Sequence, residues 1–153
     1  LLIKDRHNGN IMIDRQGHII HIDFGFVFGL APGKKFSMEK APWKMTKEMA
    51  DVMGGPKSNY YAEYKRLCIE SFKVARAHSD KFLLLMDIMQ QDSVFPAFEY
   101  NKKATKHMRK RFLLEVPHEN IDAEVEKLIS KSYNSSGTGA YDMFQVYSNK
   151  IKA

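Results

Sequence analysis

Asp5-Arg6-His7-Asn8-Gly9-Asn10-Ile11-Met12-Ile13, then Asp14-Arg15-Gln16-Gly17, then Ile19-Ile20-His21-Ile22-Asp23-Phe24-Gly25, is the stretch on which the fold turns. Two short β-branched runs flank a turn in which Gly17 supplies the positive φ that hairpin loops need, so the stretch reads as a β-hairpin. With the turn centred on Gln16 and Gly17, Asn10 faces Asp23, Ile11 faces Ile22, Met12 faces His21 and Ile13 faces Ile20. Strand alternation then puts Asn10, Met12, His21 and Asp23 on one face. Ile11, Ile13, Ile20 and Ile22 take the other face, which would pack on helices.

Downstream the pattern changes. Residues 24–45 show no clear period and contain Gly29, Pro32, Gly33 and Pro42, so they read as a long loop of the functional kind. Thr46 is the N-cap of a short helix that Gly54 and Gly55 stop. A second helix follows Ser58 and Asn59, with Tyr61, Tyr64, Leu67, Cys68, Phe72 and Ala75 at the spacing of a buried face. The helix from Ser79 to Gln91 is apolar nearly all round and is expected to be central. Asn101 would cap a basic helix, another runs over 118–133, residues 134–139 read as a polar linker, and a last amphipathic element starts near Ala140. The class is α+β: a small hairpin followed by a mostly helical body.

Composition narrows the function classes. The chain has 153 residues, 44% of them apolar, which is one domain with a real core. Its longest apolar run, Phe82 to Met86, is far short of the about 20 residues of a membrane span. No signal peptide is read at the start, and the single cysteine, Cys68, excludes an internal disulfide and fits a reducing compartment. The net charge is +6, and Lys102, Lys103, Lys106, Arg109, Lys110 and Arg111 together equal it. That run is a solvated helix face or a surface for anionic membrane or nucleic acid. It has no aromatic interleaving of the kind single-strand binders use. His18, His78, His107 and His118 have no metal-ligand spacing.

The chemistry lies in the first 25 residues. Asp5 and Asn10 stand as D-x-x-x-x-N, the spacing of a phosphoryl-transfer catalytic loop with a base and a metal-binding amide. Asp23 opens Asp23-Phe24-Gly25, a triplet whose acid binds Mg²⁺. An amide and a carboxylate facing each other across the hairpin offer hard oxygens to that ion, which keeps waters and substrate phosphates as its other ligands. Asp5 or His7 can take the proton of an attacking hydroxyl, and an imidazole titrating near pH 6.5 suits that task. The bland alternative is that Asp5 and Arg6 merely pair and Asn10 caps a turn.

Lys4-Asp5-Arg6-His7-Asn8-Gly9-Asn10 with His21-Ile22-Asp23-Phe24-Gly25-Phe26 resembles the phosphoinositide 3-/4-kinase superfamily, and within it the type III phosphatidylinositol 4-kinases. Met53-Gly54-Gly55 and Tyr141-Asp142-Met143-Phe144-Gln145 with Asn149 and Ile151 are similar to that family too. Ala75-Arg76-Ala77-His78 and Ile88-Met89-Gln90-Gln91 lean toward the beta, Golgi-associated subtype. The resemblance implies a kinase-like C-terminal lobe: catalytic loop and metal hairpin over 1–25, activation loop over 26–45, helical part over 46–153. It implies catalytic roles for Asp5 and His7, metal binding by Asn10 and Asp23, and an adenine floor from Met12 and Ile22. In the register above, Ile22 would point away from that floor.

The same resemblance implies ATP with Mg²⁺ (or Mn²⁺) as cofactors and phosphatidylinositol in membranes as substrate. Its headgroup would meet Lys34, Lys35, Lys40 and Lys44 of the activation loop. Phe144, Tyr147 and Ile151 would touch the membrane from the last helix, although a core-packing helix shows the same stripe. Small GTPases and other Golgi regulators are candidate partners, no nucleic acid is expected, and the location would be cytoplasmic, peripheral on Golgi or plasma membrane. Because the sequence starts just ahead of the catalytic loop, the small lobe is expected to be absent, and the N-terminal remainder of the same kinase to be its partner. The 153 residues alone are then expected to have little activity. The alternatives are a 3-kinase or related protein kinase, and a non-catalytic module for anionic membrane or nucleic acid.

Overall fold

Asp14 sets the turn of the hairpin. Its carboxylate accepts the backbone N–H of Gln16 at 2.8 Å and of His18 at 2.9 Å, and the His18 ring lies 2.8 Å from its second oxygen. The His18 contact, first among the causes, holds this carboxyl below the usual range. In the computed structural model, which describes residues 2–32 and 41–150, Asp14 and His18 pair through a 3.1 Å backbone bond. The loop therefore has three residues, Arg15 to Gly17, closed by Gly17 at φ +88°.

That extra loop residue shifts the register by one from the expected pairing. Strand β1 (Ile11–Ile13) runs antiparallel to β2 (Ile19–His21) with Ile11 opposite His21, Met12 opposite Ile20 and Ile13 opposite Ile19. The Ile22 N–H donates to the Asn10 carbonyl at 3.2 Å, which continues the pairing. Asn10 thus faces Ile22, and the expected direct opposition of Asn10 and Asp23 is corrected. A one-residue slip moves every side chain of a strand to the other face. Asn10, Met12, Ile20 and Ile22 now share one face, and Ile11, Ile13, Ile19 and His21 the other. Ile13 and Ile19 are well exposed, so the isoleucine face does not form the anticipated seal against helices.

Seven α-helices follow among the described residues, with a 3-10 turn at His118–Asn120. Helix α1 (Lys47–Val52) is capped by Thr46, whose hydroxyl accepts the Met49 N–H at 3.2 Å, and Gly54 and Gly55, at φ +85° and +87°, end it. Helix α2 (Asn59–Ala77) is capped by Ser58 in the same way, from the Tyr61 N–H at 3.0 Å. The Thr46 cap was legible as sequence, and the second helix was expected to follow Ser58 and Asn59. Helices α3 (Ser79–Gln90), α4 (Pro96–Tyr100) and α5 (Ala104–Arg111) form one packed group, and α6 (Ile121–Ser132) and α7 (Ser136–Asn149) complete the described chain. Asn101 is not the N-cap of α5, a place taken by Lys103. Its Nδ2 donates instead to the Phe28 carbonyl at 2.9 Å, fastening the segment after the hairpin to the helical body.

The core has two clusters. Leu83 and Met86 of α3 meet Phe98 of α4 and Ala104, Met108 and Phe112 at α5, with Phe28 stacked on Phe98 at 5.1 Å. Ile121, Val125 and Ile129 of α6 pack on Tyr64, Cys68, Ile69 and Phe72 of α2 and on Trp43. Burial pushes the Cys68 thiol up, so it stays a protonated, poorly nucleophilic side chain. Helix α3 is not central as its composition suggested. Only its Ser79, Leu83 and Met86 side is buried, while Leu84, Leu85, Ile88 and Met89 are exposed. Leu67 of α2 is likewise half exposed. None of the helices is long and apolar enough to cross a membrane among the described residues.

One further link places the last helix. Met45 forms a parallel bridge with Tyr133, the Asn134 N–H donates to the Met45 carbonyl at 2.8 Å, and the Trp43 N–H donates to the Ser132 hydroxyl at 3.3 Å. The chain ahead of α1 and the chain ahead of α7 are thereby held side by side. Helix α7 also begins at Ser136, inside the segment that read as a linker.

Candidate active site

Arg6 organises the site. The residue is 6% exposed, and its guanidinium donates to the carbonyls of Lys4 (2.9 Å), Asn10 (3.3 Å), Ile22 (2.7 Å) and Asp23. It also lies over the Phe24 ring at 5.7 Å. A planar fork with five N–H donors is the one side chain able to satisfy so many carbonyls at once. The loop over residues 4–10, the end of β2 and the Asp23 triplet are thus tied to one group. The pairing of Arg6 with Asp5 weighed from the sequence does not occur; Arg6 binds backbone instead.

Around that staple Asp5, His7 and Asn10 come together. The Asn10 side chain is buried, and its Nδ2 donates to the Asp5 carbonyl at 3.0 Å and lies 3.3 Å from His7 Nε2. With both amide hydrogens directed inward, Oδ1 is the atom left to serve as a hard ligand. An amide nitrogen can only donate, so His7 Nε2 accepts and the ring proton sits on Nδ1, which is buried without a protein partner. His7 Nε2 is also 3.7 Å from Asp5 Oδ1. Asp23 sits just beyond, exposed, with its Oδ1 accepting the Gly25 N–H at 3.2 Å.

Asp5 and Asp23 are both held in the left-handed backbone region, at φ 60° and 56°. Aspartate is among the few residues that tolerate it, and such conformations cost about 1–3 kcal/mol and gather at functional sites. Because of that φ, Asp23 leaves strand alternation, and its carboxylate is not placed by the pairing of β1 with β2. A carboxylate and an amide oxygen are the donor set that Mg²⁺ prefers, so the residues present fit this ion. The corrected register also resolves the difficulty over Ile22. Met12 and Ile22 lie on the same face as Asn10, and both are exposed.

The other expected residues fare differently. Lys44 is not a solvated loop lysine: its side chain is 6% exposed and its Nζ is 2.7 Å from Asp142 Oδ1 of α7. Asp142→Asn is expected to lower stability by about 2 kcal/mol, because it strands a buried ammonium, and Lys44→Met added to it to restore part of the loss. Urea midpoints of the single and double variants read both effects. Phe144 and Tyr147 are exposed among the described residues, and the buried face of α7 is Thr138, Tyr141 and Gln145. Lys34, Lys35, Lys40 and Ile151 lie outside the described residues. A cleft of about 630 Å³, lined by His7, Lys44, Thr46 and Thr138 among others, opens between the catalytic loop and α7.

The Tyr141 hydroxyl donates to the Asp5 carboxylate, a contact that sequence reasoning missed. Spacing shows only that Tyr141, Gln145 and Asn149, at i, i+4 and i+8, share one face of the helix, with no pointer to Asp5.

Comparison with known proteins gives a consistent result. The sequence profile described as Phosphatidylinositol 3- and 4-kinase matches residues 1–98. The chain is 42% identical over 151 residues to a phosphatidylinositol 4-kinase of Dictyostelium discoideum, covering 99% of this chain and 13% of that protein. It is 40% identical over 152 residues to phosphatidylinositol 4-kinase PIK1 of Saccharomyces cerevisiae, covering 99% of this chain and 14% of that protein. Against phosphatidylinositol 4-kinase beta of Rattus norvegicus the figures are 39% over 151 residues, 99% and 18%. The chain therefore spans between about an eighth and a fifth of the length of these relatives.

Proposed function

This chain belongs to the phosphatidylinositol 3- and 4-kinase family, and on that premise we propose that it carries the catalytic loop and metal-binding triplet of a phosphatidylinositol 4-kinase. The reaction moves the γ-phosphoryl of ATP onto the 4-hydroxyl of phosphatidylinositol. One observation carries the reading: a single buried guanidinium holds the backbone of Asn10 and of Asp23, the two candidate ligands, beside the loop that bears Asp5 and His7.

Asp5 accepts the proton of the attacking inositol hydroxyl. His7, whose Nε2 lies between the Asn10 amide and the Asp5 carboxylate, helps to hold both groups in place. Asn10 and Asp23 hold Mg²⁺, which when bound neutralises charge on the nucleotide phosphates. Met12 and Ile22 offer an apolar face to the adenine. The cleft between His7 and α7 has the volume of a small-molecule site, enough for an inositol ring. The exposed Met143, Phe144 and Tyr147 on the outer side of α7 suit contact with the membrane that presents the lipid.

Incubating the complete natural protein with labelled ATP, Mg²⁺ and phosphatidylinositol vesicles, then identifying the labelled hydroxyl, tests this. Label on the 4-position is expected. Label on the 3-position would make the protein a 3-kinase, and label on protein alone would remove the lipid from the reaction.

A further inference from the structure

Helix α7 reaches into the active site through a line of polar side chains. Asn149 Nδ2 donates to Gln145 Oε1, Gln145 Nε2 donates to Tyr141 Oη at 2.7 Å, and the Tyr141 hydroxyl donates to Asp5 Oδ1. Tyr141 and Gln145 are 6% and 4% exposed, so these two links lie in the interior, while Asn149 ends the line at the surface. Its direction is fixed by chemistry. Gln145 Nε2 has only hydrogens to offer, so Tyr141 Oη must accept there, and its single proton is turned toward the carboxylate. Asn149 orients the Gln145 amide in turn, since its own Nδ2 can bond only to the amide oxygen. Each bond polarises the next.

We propose that Tyr141 is a positioning residue for phosphoryl transfer: with Gln145 and Asn149 behind it, it fixes the Asp5 carboxylate in the rotamer that meets the attacking hydroxyl. This rests on Asp5 being the proton acceptor of the lipid kinase reaction. The bond engages Oδ1, the oxygen that also faces His7, and leaves Oδ2 as the oxygen to accept the substrate proton. The backbone of Asp5 is already fixed by its left-handed φ and by Asn10, and the side-chain torsion is the freedom that remains. A hydroxyl arriving from a helix 136 positions along the chain closes it.

Two variants test the assignment in the complete natural protein, with ATP, Mg²⁺ and phosphatidylinositol vesicles. Tyr141→Phe keeps the ring and its packing and removes only the hydroxyl. Its kcat is expected to fall about 10- to 100-fold, the loss of one charge-assisted hydrogen bond, with KM for ATP and for lipid within about twofold and a melting temperature lower by only a few degrees, because Gln145 Nε2 loses its acceptor. Gln145→Met keeps the volume but leaves the Tyr141 hydroxyl unanchored, and kcat is expected to fall by about threefold. A Tyr141→Phe enzyme with kcat within about twofold of wild type overturns the proposal, as does a kcat loss matched by a much lower melting temperature and raised KM values. Should Tyr141→Phe fail to fold, an unchanged kcat in Gln145→Met overturns it on its own. Absence of lipid phosphorylation by the wild-type protein is a separate result, which removes the kinase reading and the role of Tyr141 with it.

Discussion

Asp23→Asn is expected to abolish lipid phosphorylation, with kcat reduced at least about 1000-fold, while the protein stays folded. Asparagine is the right replacement because Asp23 sits at φ 56°, and of the non-glycine residues Asn tolerates that region best. It keeps the Gly25 contact through its amide oxygen and removes only the charge. Asp23→Ala is expected to match it in activity but to cost about 1 kcal/mol of stability, since alanine bears the left-handed strain without a side-chain bond. The carboxylate is exposed, so neither change leaves a buried hole. Single-turnover assays at saturating ATP and Mg²⁺, beside thermal unfolding, measure both quantities. Turnover near the wild-type rate in Asp23→Asn would take Asp23 out of the metal site.

Arg6→Met should produce the largest structural loss of any single change in the first 25 residues. The side chain is buried and serves four carbonyls, three of them on segments that no helix supports. Methionine fills much of the space and supplies no donor, leaving those carbonyls without their partner. We expect about 3–5 kcal/mol of destabilisation, a melting temperature lower by roughly 10 °C, and no transfer activity. Arg6→Lys recovers only a fraction, since one ammonium cannot span carbonyls that a planar fork reaches together. Native-state hydrogen exchange locates the damage: the Ile22 amide, bonded to Asn10, should lose protection while the α2 and α6 amides keep theirs. Retained protection at Ile22 would mean that the hairpin holds without the staple.

How much of this was legible beforehand varies with how local the physics is. The helix cap at Thr46, the start of α2 after Ser58, the hairpin, and the grouping of Asp5, His7 and Asn10 depend on neighbours in sequence and could be read there. The register could not, because it hinged on whether the Asp14 carboxylate would capture the Gln16 and His18 amides and lengthen the turn. Helix α3 shows the limit of composition: Leu84 and Ile88 are as apolar as Leu83, and only tertiary packing decides which side is covered. Lys44 and Tyr141 were opaque for a related reason. Their partners, Asp142 and Asp5, lie about a hundred or more positions away, and spacing along the chain carries no trace of such pairs. Arg6 entered the sequence reading only through the bland alternative of a pair with Asp5, and its bonds to carbonyls across the hairpin went unread.

The contact between Asp5 and Tyr141 also has a consequence for the order in which the molecule is made. The two residues are 136 positions apart, and at about 5–20 residues per second a ribosome needs roughly 7–27 s to travel between them. The loop that bears Asp5 emerges first and waits, its carboxylate unheld, until α7 has been synthesised and has docked. A nascent chain stalled anywhere between the two therefore has every motif recognised in its opening residues and still lacks one wall of the site, which closes only when that helix docks.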